Sequence, residues 1–566
     1  MANFTVSPGV SLNEIDNTFL TSEPIQAGAA IIGPTVKGPI ETPVKVTSYS
    51  EYVTMFGDII ESGSQNYSYL TSIAAHNYFN YGGESLLVTR VASGSFTSAT
   101  SSFISGANAA NCITLETISE GTIMNTGTHG TGGAFSTGTK DNVRWEVTTH
   151  NTQSGTFNLL IRQGNDITNK KTILESFNNI SMDPNSENYV AKVIGDQKLQ
   201  YDSVNNQIST TGDYRNNSRF VRVKSVNNPT PNYLDANGTP VTAFTGSIPK
   251  PSSGSFGAAT GAPFSSRAGN FYQNINNTDS QGLEGGNYDN AIKLLSNTDD
   301  YKFNVLFTPG LIGTNSPTQT NKIIQNTQER GDNLYVHDLV NYGSTVTTAI
   351  GRAGSLDNSY AATYWPWVRI SDPATGKLVF VPASTMIPGV YAFNDKVAAP
   401  WFAPAGINRG GLNTVVSAEY KLTQANRDAL YESNINPIAT LPQQGVVVYG
   451  QKTLQKDASA LDRVNVRRLL IELKSFIGQI AETIVFEQNS IVTRGSFLAR
   501  VNPYLEKIQQ KQGLYAFKVI MDDSNNGPDI IDKNQLIGQI YIQPTRTAEF
   551  IALDFILQPT GAEFPG

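Results

Sequence analysis

Four histidines, His76, His129, His150 and His337, are the side chains in the 566-residue chain whose ordinary titration suits acid–base chemistry near neutral pH. Only His337 is followed by a carboxylate, Asp338. A base and its orienting carboxylate must share a face, and adjacent residues of a strand point to opposite faces. That spacing is therefore poor for a catalytic pair. The chain holds no G-x-S-x-G elbow, no H-E-x-x-H, and no G-x-G-x-x-G after a strand. Thr375-Gly376-Lys377-Leu378 has the Gly-Lys of a phosphate loop but lacks the upstream glycine and the following Ser or Thr. Asp522 to Gly527 starts like a calcium loop, with Gly527 sixth, yet Lys533 stands twelfth, where a bidentate Glu is needed. This stretch reads as a turn. His129 and His150 lack a third ligand. Cys112 is the single cysteine, so no internal disulfide can form. These residues predict a protein without catalysis, cofactor or metal.

Charged residues make up 15% of the chain, against a usual share of about 25%. The 49 glycines, with many Ser, Thr and Asn, favour turns and strands over long solvated helices. The net charge is −7 and no run of Lys or Arg occurs, so direct contact with nucleic acid is not expected. No apolar run approaches the ~20 residues that cross a bilayer, and the first residues lack the pattern of a secretory leader. The expectation is folding in a cytoplasm, without membrane insertion.

The elements that would position these groups fall into blocks. Residues 25–92 alternate strand and helix: a buried strand at 27–33, a helix at 48–57 with Ser48 as cap, a helix at 69–83 and a strand at 85–91. Residues 93–285 turn Gly/Ser/Thr-rich, with strand-like runs at 143–150, 156–163 and 219–226, and 245–285 reads as the flexible part. Alternation resumes with a helix at 289–295 and a strand at 301–308, and runs to about 440. The chain thus leaves an α/β domain and returns to it. The fold class is α/β and α+β multidomain. Its parts are an arm at 1–20, an α/β core of 21–92 plus 286–440, an inserted β-rich region at 93–285, a C-terminal α+β domain at 441–545 and a C-terminal arm at 546–566.

The last block is the most sharply patterned. Leu469, Leu470, Leu473, Phe476, Ile477, Ile480 and Ile484 share one helical face within 465–489. A second helix is expected at 496–512, with Asn502-Pro503 opening its first turn. Strands follow at 515–523, 535–545 and 548–558. In the last, Ile551, Leu553 and Phe555 lie on one face and Phe550, Ala552 and Ile556 on the other, so both faces seek burial. At the opposite end, Phe4, Val6, Val10 and Leu12 alternate with polar residues around Pro8, which confines that segment to an edge or bulged strand. Two readings fit: the ends pair with each other in one small domain, or each completes a neighbour's sheet.

Several stretches, in order, resemble contractile phage tail sheath proteins. They are SPGVSLNEID (7–16), GAAIIGPTVKGPIETPVKVTSYSEYVTMFGD (28–58), APWFAPAGINRGGL (399–412), LTQANRDALYESNINPIATLPQQGVVVYGQKTL (422–454), the VNVRRLLIEL that starts at 464, and AEFI (548–551). Ser11 stands where that family usually has an aromatic residue. The resemblance implies a subtilisin-like-shaped α/β core, an outward-facing insertion, and a C-terminal domain lining the lumen, with a small sheet completed by neighbours' arms. It implies assembly with copies of itself, as six-fold rings or a six-start helix, around an inner tube protein, with baseplate and tail terminator proteins as further partners. The site would be the virion tail, with assembly in the host cytoplasm. Strand exchange would involve Phe4, Val6, Pro8, Val10 and Leu12, with Val519, Ile540 and Ile542 in the receiving pair and Ile551, Leu553 and Phe555 in the C-terminal arm. Lys507 and Lys511, four apart, would form a tube-facing strip. The sheath of a tail-like bacteriocin or another contractile injection system fits the same residues. A β-rich surface adhesin and a hydrolase with an unfamiliar site are the readings from other classes.

Overall fold

The structure, a computed structural model, describes residues 25–62, 65–262 and 271–550. Its centre is an eight-stranded sheet. Its strands are β1 (Ile25–Gly33), β2 (Val44–Val46), β3 (Leu86–Arg90), β4 (Tyr301–Phe307), β5 (Leu334–His337), β6 (Ala361–Trp365), β7 (Asn436–Leu441) and β8 (Gly445–Val448). The spatial order is β2-β3-β1-β4-β5-β6-β7-β8. The six inner strands are parallel, and β2 and β8 close the two edges antiparallel.

Alternation along the strands builds the two layers. Ala29, Ile31, Leu86 and Val88 enter one core, with helices α1 (Tyr49–Phe56) and α2 (Leu70–Asn80). Ala30, Ile32 and Leu87 enter the other, beneath α3 (Pro317–Arg330). A sheet buried on both faces is what near-continuous apolar strands require. α1 begins where the sequence places it: Ser48 Oγ accepts from the Glu51 amide at 3.1 Å. The Glu51 carboxylate caps the turn from the other side by accepting from the Thr47 amide at 2.8 Å. The sheet runs on to Val448, past residue 440, because Val446–Val448 are buried and pair with β7.

Between β3 and β4 the chain forms two four-stranded antiparallel sheets and a hairpin. Trp145, Leu159, Ile161, Leu115, Val221 and Phe256 share their core. The expectation of a flexible 245–285 is corrected for its described part. Ser252–Gly254 and Phe256–Gly257 are edge strands, one in each sheet, because Phe256 is fully buried within a Ser/Gly-rich run. This region is tied to the central sheet by buried charge. The Arg90 guanidinium donates to the Gly38 and Glu120 carbonyls at 2.5 and 2.9 Å, and Lys37 pairs with Asp141 at 3.2 Å.

The C-terminal part holds α6 (Val464–Glu482) and α7 (Ile491–Gln510), preceded in the core by α4 (Ile387–Val397) and α5 (Gln424–Glu432). Leu469, Leu473 and Ile480 meet Phe497, Val501, Leu505 and Ile508 in a separate core. Leu470, Phe476 and Ile477 pack partly buried at its rim, and Ile484 does so beyond the end of α6. The expectation that Pro503 opens a helix is corrected. α7 begins at a Ser490 cap, and Pro503 lies in its interior. Proline there forfeits one backbone hydrogen bond. Burial of Val501 and Leu505 on either side keeps the helix continuous.

Candidate functional site

The two-stranded sheet after α7 is where the sequence reading locates intersubunit contact. Its strands are β9 (Leu514–Ile520) and β10 (Gln539–Pro544), antiparallel, with Phe517 opposite Ile542 and Val519 opposite Ile540. These four side chains are half-buried against the core of α6 and α7. Val519, Ile540 and Ile542 are thus brought together on the helix-facing side. The other side is wet: Tyr515 is 61% and Tyr541 56% exposed. Among the described residues the sheet has two strands, so each outer edge presents backbone groups without a ladder partner. Phe4, Val6, Pro8, Val10 and Leu12 lie outside the described residues, as do Ile551, Leu553 and Phe555. Residues 548–550 are not in a strand.

Lys507 sits on the last turn of α7 and Lys511 caps it, donating its amide to the Lys507 carbonyl at 3.1 Å. Both side chains are exposed. The Trp401 indole donates to the Lys511 carbonyl at 3.0 Å, so the end of α7 rests on the segment at 399–412.

Two adjacent arginines dock α6 on the α/β body, and sequence reasoning missed both. Arg468 forks onto Asp395 of α4 at 2.9 and 2.5 Å and stacks over Tyr391. Arg467 lies 3.9 Å from the Tyr360 ring centroid and donates to the Ser359 carbonyl at 3.2 Å. The available signal was a pair of charges in an otherwise apolar helix start.

Of the chemical candidates, Asp338 and Asp522 have hydrogen-bond partners within the fold. Asp338, next to the end of β5, accepts from the Ser384 amide at 3.0 Å and its hydroxyl at 2.5 Å. Burial pushes the Asp338 carboxyl up to about 7, against the pull of those bonds and of Gly310. Among the described residues His337 has no hydrogen-bond partner at either ring nitrogen, and burial beside Arg352 holds it down at about 3. A Cβ on Gly313 would come within 2.7 Å of its Nε2, so glycine is what lets the ring fit. All three groups are buried, and their geometry ties β5 to the turn at 383–385. At 522–527 the Asp522 carboxylate accepts from the Ser524 amide at 2.9 Å, and the buried Asn526 bridges to Ile537. This geometry is a turn.

Residues 281–454 match the phage tail sheath protein central domain, and residues 456–558 match the phage tail sheath C-terminal domain. Together these matches span just under half of the chain, and both are to domains of phage tail sheath proteins. The chain is 42% identical over 185 residues to the tail sheath protein of Vibrio phage KVP40, covering 33% of this chain and 28% of that one. It is 35% identical over 229 residues to the tail sheath protein of Enterobacteria phage T4, covering 40% of this chain and 35% of that one. The matches therefore span about a third of each relative. Among solved structures, the sheath tail protein of Listeria innocua superposes with a TM-score of 0.51 at 8% identity, over 93% of this chain and 96% of that one. A chain of the contracted anti-feeding prophage baseplate gives 0.52 at 12% identity, over 98% and 99%. At such identities the likeness speaks for the fold.

Proposed function

We propose that this chain is the structural subunit of a contractile tail sheath, which polymerises around an inner tube and shortens to drive that tube through a host envelope for genome delivery. The observation that carries the reading is the match to the phage tail sheath C-terminal domain together with a sheet that, among the described residues, has two strands and two unpaired edges. The first residues and the last would each add a strand to such an edge in a neighbouring copy, Phe4 to Leu12 from one side and Ile551 to Phe555 from the other. Val519, Ile540 and Ile542 would hold the receiving pair on its helices. Lys507 and Lys511 would face the tube. The α/β body, read as subtilisin-like in shape, comprises 21–92 and 286–440 with β8 added, and the 93–285 insertion faces outward. The C-terminal domain reaches 545, and the arm begins at 546.

A lattice joined by repeating, non-closing contacts grows as a tube. Contraction then needs only a difference in buried area between two lattice states. About 60 Å² of extra apolar burial per subunit supplies roughly 1.5 kcal/mol. Repeated through the lattice, that drives shortening without nucleotide, metal or cofactor, and without catalysis by this chain. Further partners are the baseplate and tail terminator proteins, and the protein resides in the virion tail after assembly in the host cytoplasm. A tail-like bacteriocin or injection-system sheath is the second reading, favoured by the fold likeness to the anti-feeding prophage. Negative-stain microscopy of the purified chain tests the class. Long hollow cylinders are expected; a small monodisperse monomer under every condition contradicts it.

A further inference from the structure

After β10 the chain turns back across the α/β body, and one carboxylate receives it. Thr545 first donates through its hydroxyl to the Gln512 carbonyl at 2.7 Å. Four residues on, the Glu549 carboxylate accepts four hydrogen bonds from three separate places. Arg463, at the start of α6, donates through Nε at 2.8 Å and Nη2 at 3.0 Å. Gln451, after β8, donates through Nε2 at 2.9 Å. The Tyr431 hydroxyl of α5 donates at 2.7 Å. Gln451 also reaches the Thr547 hydroxyl oxygen at 2.6 Å. Lys452 lies 4.6 Å from the centroid of the Tyr431 ring, and Asp462 pairs with Arg463 at 2.9 Å, so the socket is braced behind its donors. The Glu549 side chain is 17% exposed, whereas the next residue, Phe550, is 83% exposed. Among the described residues, Glu549 at the centre of this clamp is thus the last inward-facing side chain.

We infer that Glu549 is the positioning residue of the C-terminal linkage, rooting the segment that follows it on its own subunit's α/β body. The inference rests on the proposed strand exchange, in which that segment enters a neighbour. The mechanical consequence follows from the geometry. Without the clamp, a pull on the segment would act on β10, which among the described residues is paired on one side, and would open its ladder one bond at a time. With it, the pull passes to α5, α6 and the edge of the large sheet. Charge-assisted, two-pronged contact suits that task, because a forked pair resists displacement in two directions.

Arg546 is exposed within the clamped stretch and is a tryptic site, so trypsin reports on the clamp in the full-length chain before any assembly. Cleavage of a transiently opened segment tracks its open population. Glu549→Gln keeps the shape and loses the charge, and cleavage after Arg546 should rise about tenfold, with the thermal transition of the body unchanged. Tyr431→Phe removes one donor and leaves the ring, and should raise cleavage about threefold. Cylinders of Glu549→Gln should break on contraction where wild-type cylinders stay whole. An unchanged cleavage rate in Glu549→Gln overturns the clamp. Faster cleavage with cylinders that contract intact overturns its role in the linkage. Absence of wild-type cylinders sinks the reading beneath it, and is seen before any variant is made.

Discussion

His337 and Asp338 are neighbours in the chain, buried together, and displaced in opposite senses. His337 is held at about 3, below its ordinary 6.5, so the unfolded chain takes up a proton first as pH falls. Its neutral burial supports the fold fully above pH 6.5, and that support is lost as pH falls toward 3. Asp338 is pushed up to about 7 from its ordinary 3.8, so the folded chain keeps its proton longer. Its support is complete below pH 3.8 and is lost as pH rises toward 7. Asp338→Asn should therefore gain thermal stability relative to the wild type as pH rises from 4 to 8, and His337→Asn as pH falls from 6.5. Melting curves across that range check both; constant offsets would contradict the assignment. The sequence reading set the pair aside as a dyad on strand geometry, which is local. It did not reveal Ser384 as the partner of Asp338, or Arg463 as that of Glu549. Those partners lie 46 and 86 residues away, and only folding brings them together.

At the scale of elements, periodicity carried most of the information. The face running from Leu469 to Ile480 is the face α6 buries, and Ser48 caps α1. Local rules failed where packing overrode them. Pro503 reads as a helix start, yet α7 continues through it, held by Val501 and Leu505, both fully buried. Two outcomes follow. Pro503→Ala restores a backbone donor in a partly exposed stretch and should stabilise the C-terminal domain by about 1–3 kcal/mol. Leu505→Ala should cost about 2–5 kcal/mol. Denaturant titration of each variant measures both, and a destabilised Pro503→Ala would mean the helix needs its kink. The split layout of the large sheet was legible from the return of alternation near residue 286. Its continuation to β8 was not, since Gly445–Val448 is only four residues long and carries no pattern of its own.

At the scale of the whole molecule, the proposal sets an α/β body beside a sheet that has two strands among the described residues. Both lysines at the close of α7 are exposed, and the Lys511 carbonyl accepts from the Trp401 indole. Reversing both, Lys507→Glu with Lys511→Glu, should leave the monomer's stability within about 0.5 kcal/mol of the wild type while weakening assembly on tubes. Unimpaired assembly on tubes would remove the strip from the account. The direct test of the central claim is to delete residues 1–15 and image the product under conditions in which the full-length chain polymerises. The account predicts a folded subunit, with the wild-type melting transition, that forms no continuous cylinder able to contract in one piece. Intact cylinders that still contract would contradict it.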